Sequence, residues 1–151
     1  MIEGGAGNDT ITGINNSNAQ FLVSGNAGDD LIRMGTGHAA TAVAYAGDGN
    51  DLIYGASDSG SVSIYGDTDY GYGLGPSLTS GGKDIIYGGD NNTGPLLIQG
   101  GADDDQIWTG SGNQNVLVRG DNPVCLEGGT DCHGDDIIQV EDGNMDVSVY
   151  G

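Results

Sequence analysis

One short phrase recurs six times along this chain, each time ending in an aspartate with an isoleucine two residues beyond it. The copies are GGAGNDTI from Gly4, GNAGDDLI from Gly25, AGDGNDLI from Ala46, GGKDII from Gly81, GGADDDQI from Gly100 and HGDDII from His133. Their aspartates are Asp9, Asp30, Asp51, Asp84, Asp105 and Asp136. These lie 21, 21, 33, 21 and 31 residues apart, a period of 21 broken by insertions of 12 and 10. A fixed period of this length marks a repeat array, in which a unit buries its apolar face only by stacking on its neighbours.

A second constant element precedes each glycine turn: FLVSG from Phe21, AVAYA from Ala42, VSIYG from Val62, LLIQG from Leu96, VLVRG from Val116 and VSVYG from Val147. Side chains two apart on a strand share a face. One face therefore carries Phe21/Val23, Ala42/Ala44, Val62/Ile64, Leu96/Ile98, Val116/Val118 and Val147/Val149, and turns to a core. The other carries the mixed set Ser24, Tyr45, Tyr65, Gln99, Arg119 and Tyr150. Beyond each aspartate a second strand begins, with Ile11, Ile32, Ile53, Ile86, Ile107 and Ile138 in register.

Strand, Gly-Asp turn, strand and polar turn then make one coil. The expected fold is all-β, a parallel β-solenoid (β-roll or β-helix) of about six to seven coils, stacked about 4.8 Å apart. It forms a single domain over residues 1–151, with loop insertions at about 67–81 and 121–134. Ile2-Glu3-Gly4 matches Val149-Tyr150-Gly151 in phase, which points to a segment of a longer array or a unit that stacks end to end. No apolar run is long enough to span a bilayer, so membrane insertion is not expected.

The formal net charge is −19, from 22 acidic residues against Arg33, Lys83 and Arg119. Such a surface repels phosphate backbones and excludes nucleic acid as a partner. Register puts the six aspartates in one file. Unit charges that close repel by roughly 1 kcal/mol in water and about 3–4 kcal/mol at an effective dielectric of 20. Calcium relieves this best, accepting about six to eight carboxylate and carbonyl oxygens; magnesium demands a stricter octahedron. Ions in every gap between turns would roughly halve the formal charge. Asn and Asp suit turns in any case, but turn chemistry does not account for an aspartate that recurs in register.

GGAGNDTIT, Gly4 to Thr12, matches the nonapeptide G-G-x-G-x-D-x-U-x in full, and the chain here resembles the repeats-in-toxin (RTX) family. The resemblance implies a parallel β-roll with several calcium ions held between turns of successive coils. It implies an exported bacterial protein, extracellular or at the cell surface. By the same resemblance the six aspartates correspond to the calcium-ligating aspartate, and Gly5, Gly7, Gly28, Gly47 and Gly49 to the carbonyl-donating turn. Asn8, Asp29 and Asn50, which precede the aspartates, join them as ligand candidates, and Asp67, Asp69, Asp121 and Asp131 are the replacement oxygens where insertions interrupt a turn. The chain departs from the family in carrying the phrase at one turn per coil, so a single calcium column is expected.

Three further features bear on function. Cys125 and Cys132 are disulfide candidates, and with His133 they lack the fourth ligand that a zinc site normally has. Tyr54, Tyr87 and Trp108 share one outward position and form either a sugar platform or ordinary cross-strand stacking. No serine or carboxylate arrangement supports His38 or His133, so catalysis is not expected and His38 reads as a solvated turn residue. The function expected is a non-enzymatic, calcium-binding module whose folding and rigidity depend on the ion. The alternatives are a filament subunit stacking head to tail and a carbohydrate-binding module.

Overall fold

The computed structural model describes residues 1–67, 81–121 and 133–151. The inserted segments 68–80 and 122–132, with the disulfide candidates Cys125 and Cys132 and the ligand candidates Asp69 and Asp131, lie outside the described residues. Among the described residues there are thirteen strands: β1 (Ile2–Ala6), β2 (Thr10–Thr12), β3 (Phe21–Ala27), β4 (Leu31–Arg33), β5 (Ala42–Asp48), β6 (Leu52–Tyr54) and β7 (Val62–Tyr65). The others are β8 (Ile85–Tyr87), β9 (Pro95–Gly101), β10 (Gln106–Trp108), β11 (Gln114–Asp121), β12 (Ile137–Gln139) and β13 (Ser148–Tyr150).

The strands alternate between two sheets, and every pairing is parallel. One sheet runs β1-β3-β5-β7-β9-β11-β13 and the other β2-β4-β6-β8-β10-β12. The chain is an all-β parallel solenoid, as the period of 21 predicts. Pairing keeps the columns in register: Ile11, Ile32, Ile53, Ile86, Ile107 and Ile138 stand one above another. Opposite them stand Ile2, Val23, Ala44, Ile64, Ile98, Val118 and Val149.

These columns meet in one aliphatic core, where Val23, Ile32, Ile53, Ile64, Ile86, Ile98 and Ile107 are fully buried. Each such side chain stabilises the fold by roughly 1.5–3 kcal/mol over leaving it in water. Strands β2, β4, β6, β8 and β10 each turn one isoleucine to this core, while β3, β5, β7, β9 and β11 each turn two or three apolar side chains to it, and the backbone reverses at both edges. The edges are where the chemistry lies. No helix among the described residues is long and apolar enough to cross a membrane.

Candidate metal centre

The Gly-Asp turns form one edge of the solenoid. Gly5, Gly7, Gly28, Gly47 and Gly49 all adopt positive φ there, between 109° and 126°. Glycine takes such values at little cost. The close stacking requires it as well: a Cβ on Gly47 would lie 1.9 Å from the Asn26 carbonyl oxygen, and one on Gly28 2.6 Å from that of Gly7. Carbonyls of one turn thus press directly on the backbone of the next.

The aspartates point inward from this edge and form a ladder. The amide of Asp9 donates to Asp30 Oδ1 at 2.7 Å, Asp30 to Asp51 at 2.7 Å and Asp51 to Asp84 at 2.8 Å. Asp84 donates to Asp105 at 2.9 Å and Asp105 to Asp136 at 3.0 Å. Asp30, Asp51, Asp84 and Asp105 are at most 3% exposed. One oxygen of each carboxylate from Asp30 to Asp136 is therefore satisfied. The other is not: Oδ2 of all six is buried without a hydrogen-bond partner.

At Asp9, Asp30, Asp84 and Asp105 that oxygen faces more oxygen. A Cβ on Gly4 would lie 2.7 Å from Asp9 Oδ2 and 2.9 Å from the Gly25 carbonyl. On Gly66 the corresponding distances are 2.0 Å to Asp84 Oδ2 and 2.2 Å to the Gly100 carbonyl; on Gly100 they are 2.1 Å to Asp105 Oδ2 and 2.7 Å to the Gly120 carbonyl. The missing side chain leaves a cradle in which a carboxylate oxygen and a carbonyl oxygen converge, and neither can donate a hydrogen bond to the other. Only a proton or a cation reconciles them. Burial pushes Asp51 and Asp105 up to about 8, holds Asp84 well above the usual carboxylate range, and raises Asp30 and Asp136 as well. The donor set of hard oxygens fits calcium.

The opposite edge carries a ladder of the same geometry that the sequence reading missed. His38 N–H donates to Ser59 Oγ, Ser59 to Asn92 Oδ1, Asn92 to Asn113 Oδ1 and Asn113 to Asn144 Oδ1, at 2.8–3.0 Å. Here the second atom of the side chain is an amide nitrogen with carbonyls to bond: Asn92 Nδ2 donates to the Ala56 carbonyl, and Asn113 Nδ2 to those of Gly89 and Thr109. This edge closes without help. His38 tops the ladder, so it is fully buried and not solvated; its ring stacks on Phe21 at 5.0 Å and Nε2 donates to the Met34 carbonyl. The signal was the spacing, which repeats that of the aspartates with changing residue types.

The other candidate residues have different places. Asn8, Asp29 and Asn50 are exposed and tie turn to turn from outside, through Asp29 N–H to Asn8 Oδ1 at 3.0 Å and Asn50 N–H to Asp29 Oδ1 at 2.9 Å. The backbone hydrogen bond from Asn50 draws Asp29 below the usual carboxylate range, the reverse of its buried neighbour Asp30. Lys83 stands in this outer file and pairs with the Asp104 carboxylate. Asp67 and Asp121 fasten the bases of the two insertions. Asp67 accepts from Gly82 N–H at 3.0 Å and Ala102 N–H at 2.5 Å, and Asp121 from Gly134 N–H at 2.8 Å. Tyr54, Tyr87 and Trp108 stack face to face at 5.0 Å, with Arg33 over the far face of Tyr54 at 5.2 Å. The faces between Arg33 and Trp108 are taken up along the row, and Tyr54 and Tyr87 each stay 37% exposed.

Comparison with known protein families matches the RTX calcium-binding nonapeptide repeat, in four copies, over residues 1–13, 43–62 and 97–113. Each matched segment spans one Gly-Asp turn with strand on either side of it, and the second and third run on through the opposite turn. Comparison with curated proteins and with solved structures finds no match. An in-register parallel solenoid, a file of buried carboxylates whose second oxygens have no hydrogen-bond partner, and these repeats converge: the chain carries RTX calcium-binding nonapeptide repeats on an all-parallel β-roll.

Proposed function

We propose that this module is a non-enzymatic, calcium-dependent structural unit of an exported bacterial protein, with calcium driving its folding. The unpaired, buried Oδ2 file carries the proposal. The inward aspartates whose turns open on glycine, Asp9, Asp30, Asp84, Asp105 and Asp136, would hold the ions together with turn carbonyls. When bound, calcium supplies the positive charge that lets stacked carboxylates ionise inside the edge. The residues of the chain do the rest: glycines bring carbonyls within reach, Oδ1 fixes each carboxylate from Asp30 to Asp136 to the neighbouring amide, and the asparagine edge holds the opposite side closed.

Binding to the native state alone stabilises it by mass action, and by about 4 kcal/mol at a thousandfold excess over the dissociation constant. A calcium-poor cytosol would keep the chain loose until export. Circular dichroism of the chain in chelator and in millimolar calcium tests this, with a cooperative gain of β-structure on adding the ion expected. Identical spectra and identical melting temperatures in the two conditions would remove calcium from the fold.

A further inference from the structure

Five of the six Gly-Asp turns open on a glycine, at Gly4, Gly25, Gly66, Gly100 and Gly120. The third opens on Ala46. In each glycine-opened turn the space of the missing side chain lies against the Oδ2 atom of that turn's own aspartate. In coil three a methyl group fills the equivalent space. Ala46 is fully buried and belongs to the aliphatic core with Ala42 and Ala44, so the apolar column of β5 runs one residue further into the edge than in the other coils.

The neighbouring coils show what that methyl displaces. A Cβ on Gly25 would stand 2.1 Å from Asp30 Oδ2 and 2.5 Å from the Ala46 carbonyl, and one on Gly66 would stand 2.0 Å from Asp84 Oδ2 and 2.2 Å from the Gly100 carbonyl. The position falls between the two oxygens that would otherwise close on a cation. A methyl there supplies no ligand and takes up the space between them. Asp51 nevertheless keeps its place in the ladder, because Oδ1 still accepts from the Asp30 amide at 2.7 Å.

We propose that Ala46 removes the third turn from the cation file, dividing it into one group at Asp9 and Asp30 and a second at Asp84, Asp105 and Asp136. The middle coil is a metal-free joint held by aliphatic packing and the Asp51 hydrogen bonds. Ala46 is therefore the residue that sets how many ions the module holds.

This inference rests on the calcium reading, and a calorimetric calcium titration separates the two. The whole chain is titrated as wild type, Ala46→Gly and Asp51→Asn. Ala46→Gly is expected to raise the number of bound ions by one, and Asp51→Asn to leave that number unchanged. A wild type that binds calcium, with no ion gained in Ala46→Gly or one lost in Asp51→Asn, overturns the joint alone. A wild type that binds none overturns the calcium reading and the joint with it.

Discussion

The amide of Asp51 donates to Asp84 Oδ1 at 2.8 Å across 33 residues of sequence, with the same geometry by which Asp30 reaches Asp51 across 21. The ladder is thus indifferent to what the chain inserts between two turns. Asp67 explains how: it stands just before the first insertion and accepts from Gly82 just after it, so the turn closes at its base. Asp121 and Gly134 repeat the arrangement at the second insertion.

Excising residues 68–80 joins Asp67 to Gly81 and restores the five-residue spacing from Gly66 to its aspartate that Gly4 and Asp9 show. Because a closed loop of this size adds little to stability either way, the excised chain should keep its β-structure and melt within about 5 °C of the intact one. Asp67→Ala should do far worse, losing about 2–4 kcal/mol, since the amides of Gly82 and Ala102 are then left buried and unpaired. Chemical denaturation of both variants in calcium checks this, and equal losses would sink the basal role of Asp67.

The two edges invite a reciprocal exchange. Asp105→Asn gives the first edge what Asn113 gives the second, an amide that can donate where Oδ2 has no partner. In chelator this variant should be more stable than wild type by about 1 kcal/mol, and it should gain less from calcium. Asn113→Asp sets a carboxylate oxygen against the carbonyls of Gly89 and Thr109 and should cost about 2–3 kcal/mol with or without calcium. Thermal melts of the pair in both conditions decide it. Shifts of the same sign in chelator would mean that the edges do not differ in the way argued.

The aspartate edge was legible in the sequence because one residue type recurs at fixed spacing, and the isoleucine column for the same reason. The asparagine edge was not, although its members His38, Ser59, Asn92, Asn113 and Asn144 keep the identical intervals. At four of them the fold asks only for a short acceptor, which serine and asparagine both supply, and at His38 it asks only for a donating amide. Direction was equally hidden. Asp29 and Asp30 are adjacent and of one type, yet the turn sends the first to solvent and the second into the stack. No periodicity rule for regular strands reaches into a glycine turn with positive φ.

That backbone makes Gly47 the most sensitive of the turn glycines. Its φ is +115°, and a Cβ would meet the Asn26 carbonyl at 1.9 Å. Gly47→Ala combines strain with a clash against backbone that cannot swing away, and should cost about 3 kcal/mol or more. Gly5→Ala shares a similar φ of +114° but meets nothing within 4 Å, and should cost about 1–2 kcal/mol. Denaturant midpoints of the two variants measure the difference, and equal losses would show that φ, not stacking, dictates glycine here.

The buried carboxylates also fix how stability follows pH. In the unfolded chain each titrates near 4. In the fold, burial, with neighbouring carboxylates adding to it, keeps the proton on Asp51 and Asp105 up to about 8 and on Asp67 up to about 7. Between those limits the folded chain binds more protons than the unfolded one, so stability falls as pH rises. In chelator the melting temperature should therefore drop from pH 4.5 to pH 8, by on the order of 10 °C, and level off above. Calcium needs its ligands ionised, so its binding should release protons from Asp84 and Asp105 and tighten across the same window. With millimolar calcium the melting temperature should then hold or rise over that range. Melting curves in the two conditions, with calorimetry in two buffers of different ionisation enthalpy to count the protons, measure both effects. A metal-free chain that gains stability from pH 5 to pH 8 would mean that the ladder is ionised without any ion to hold it.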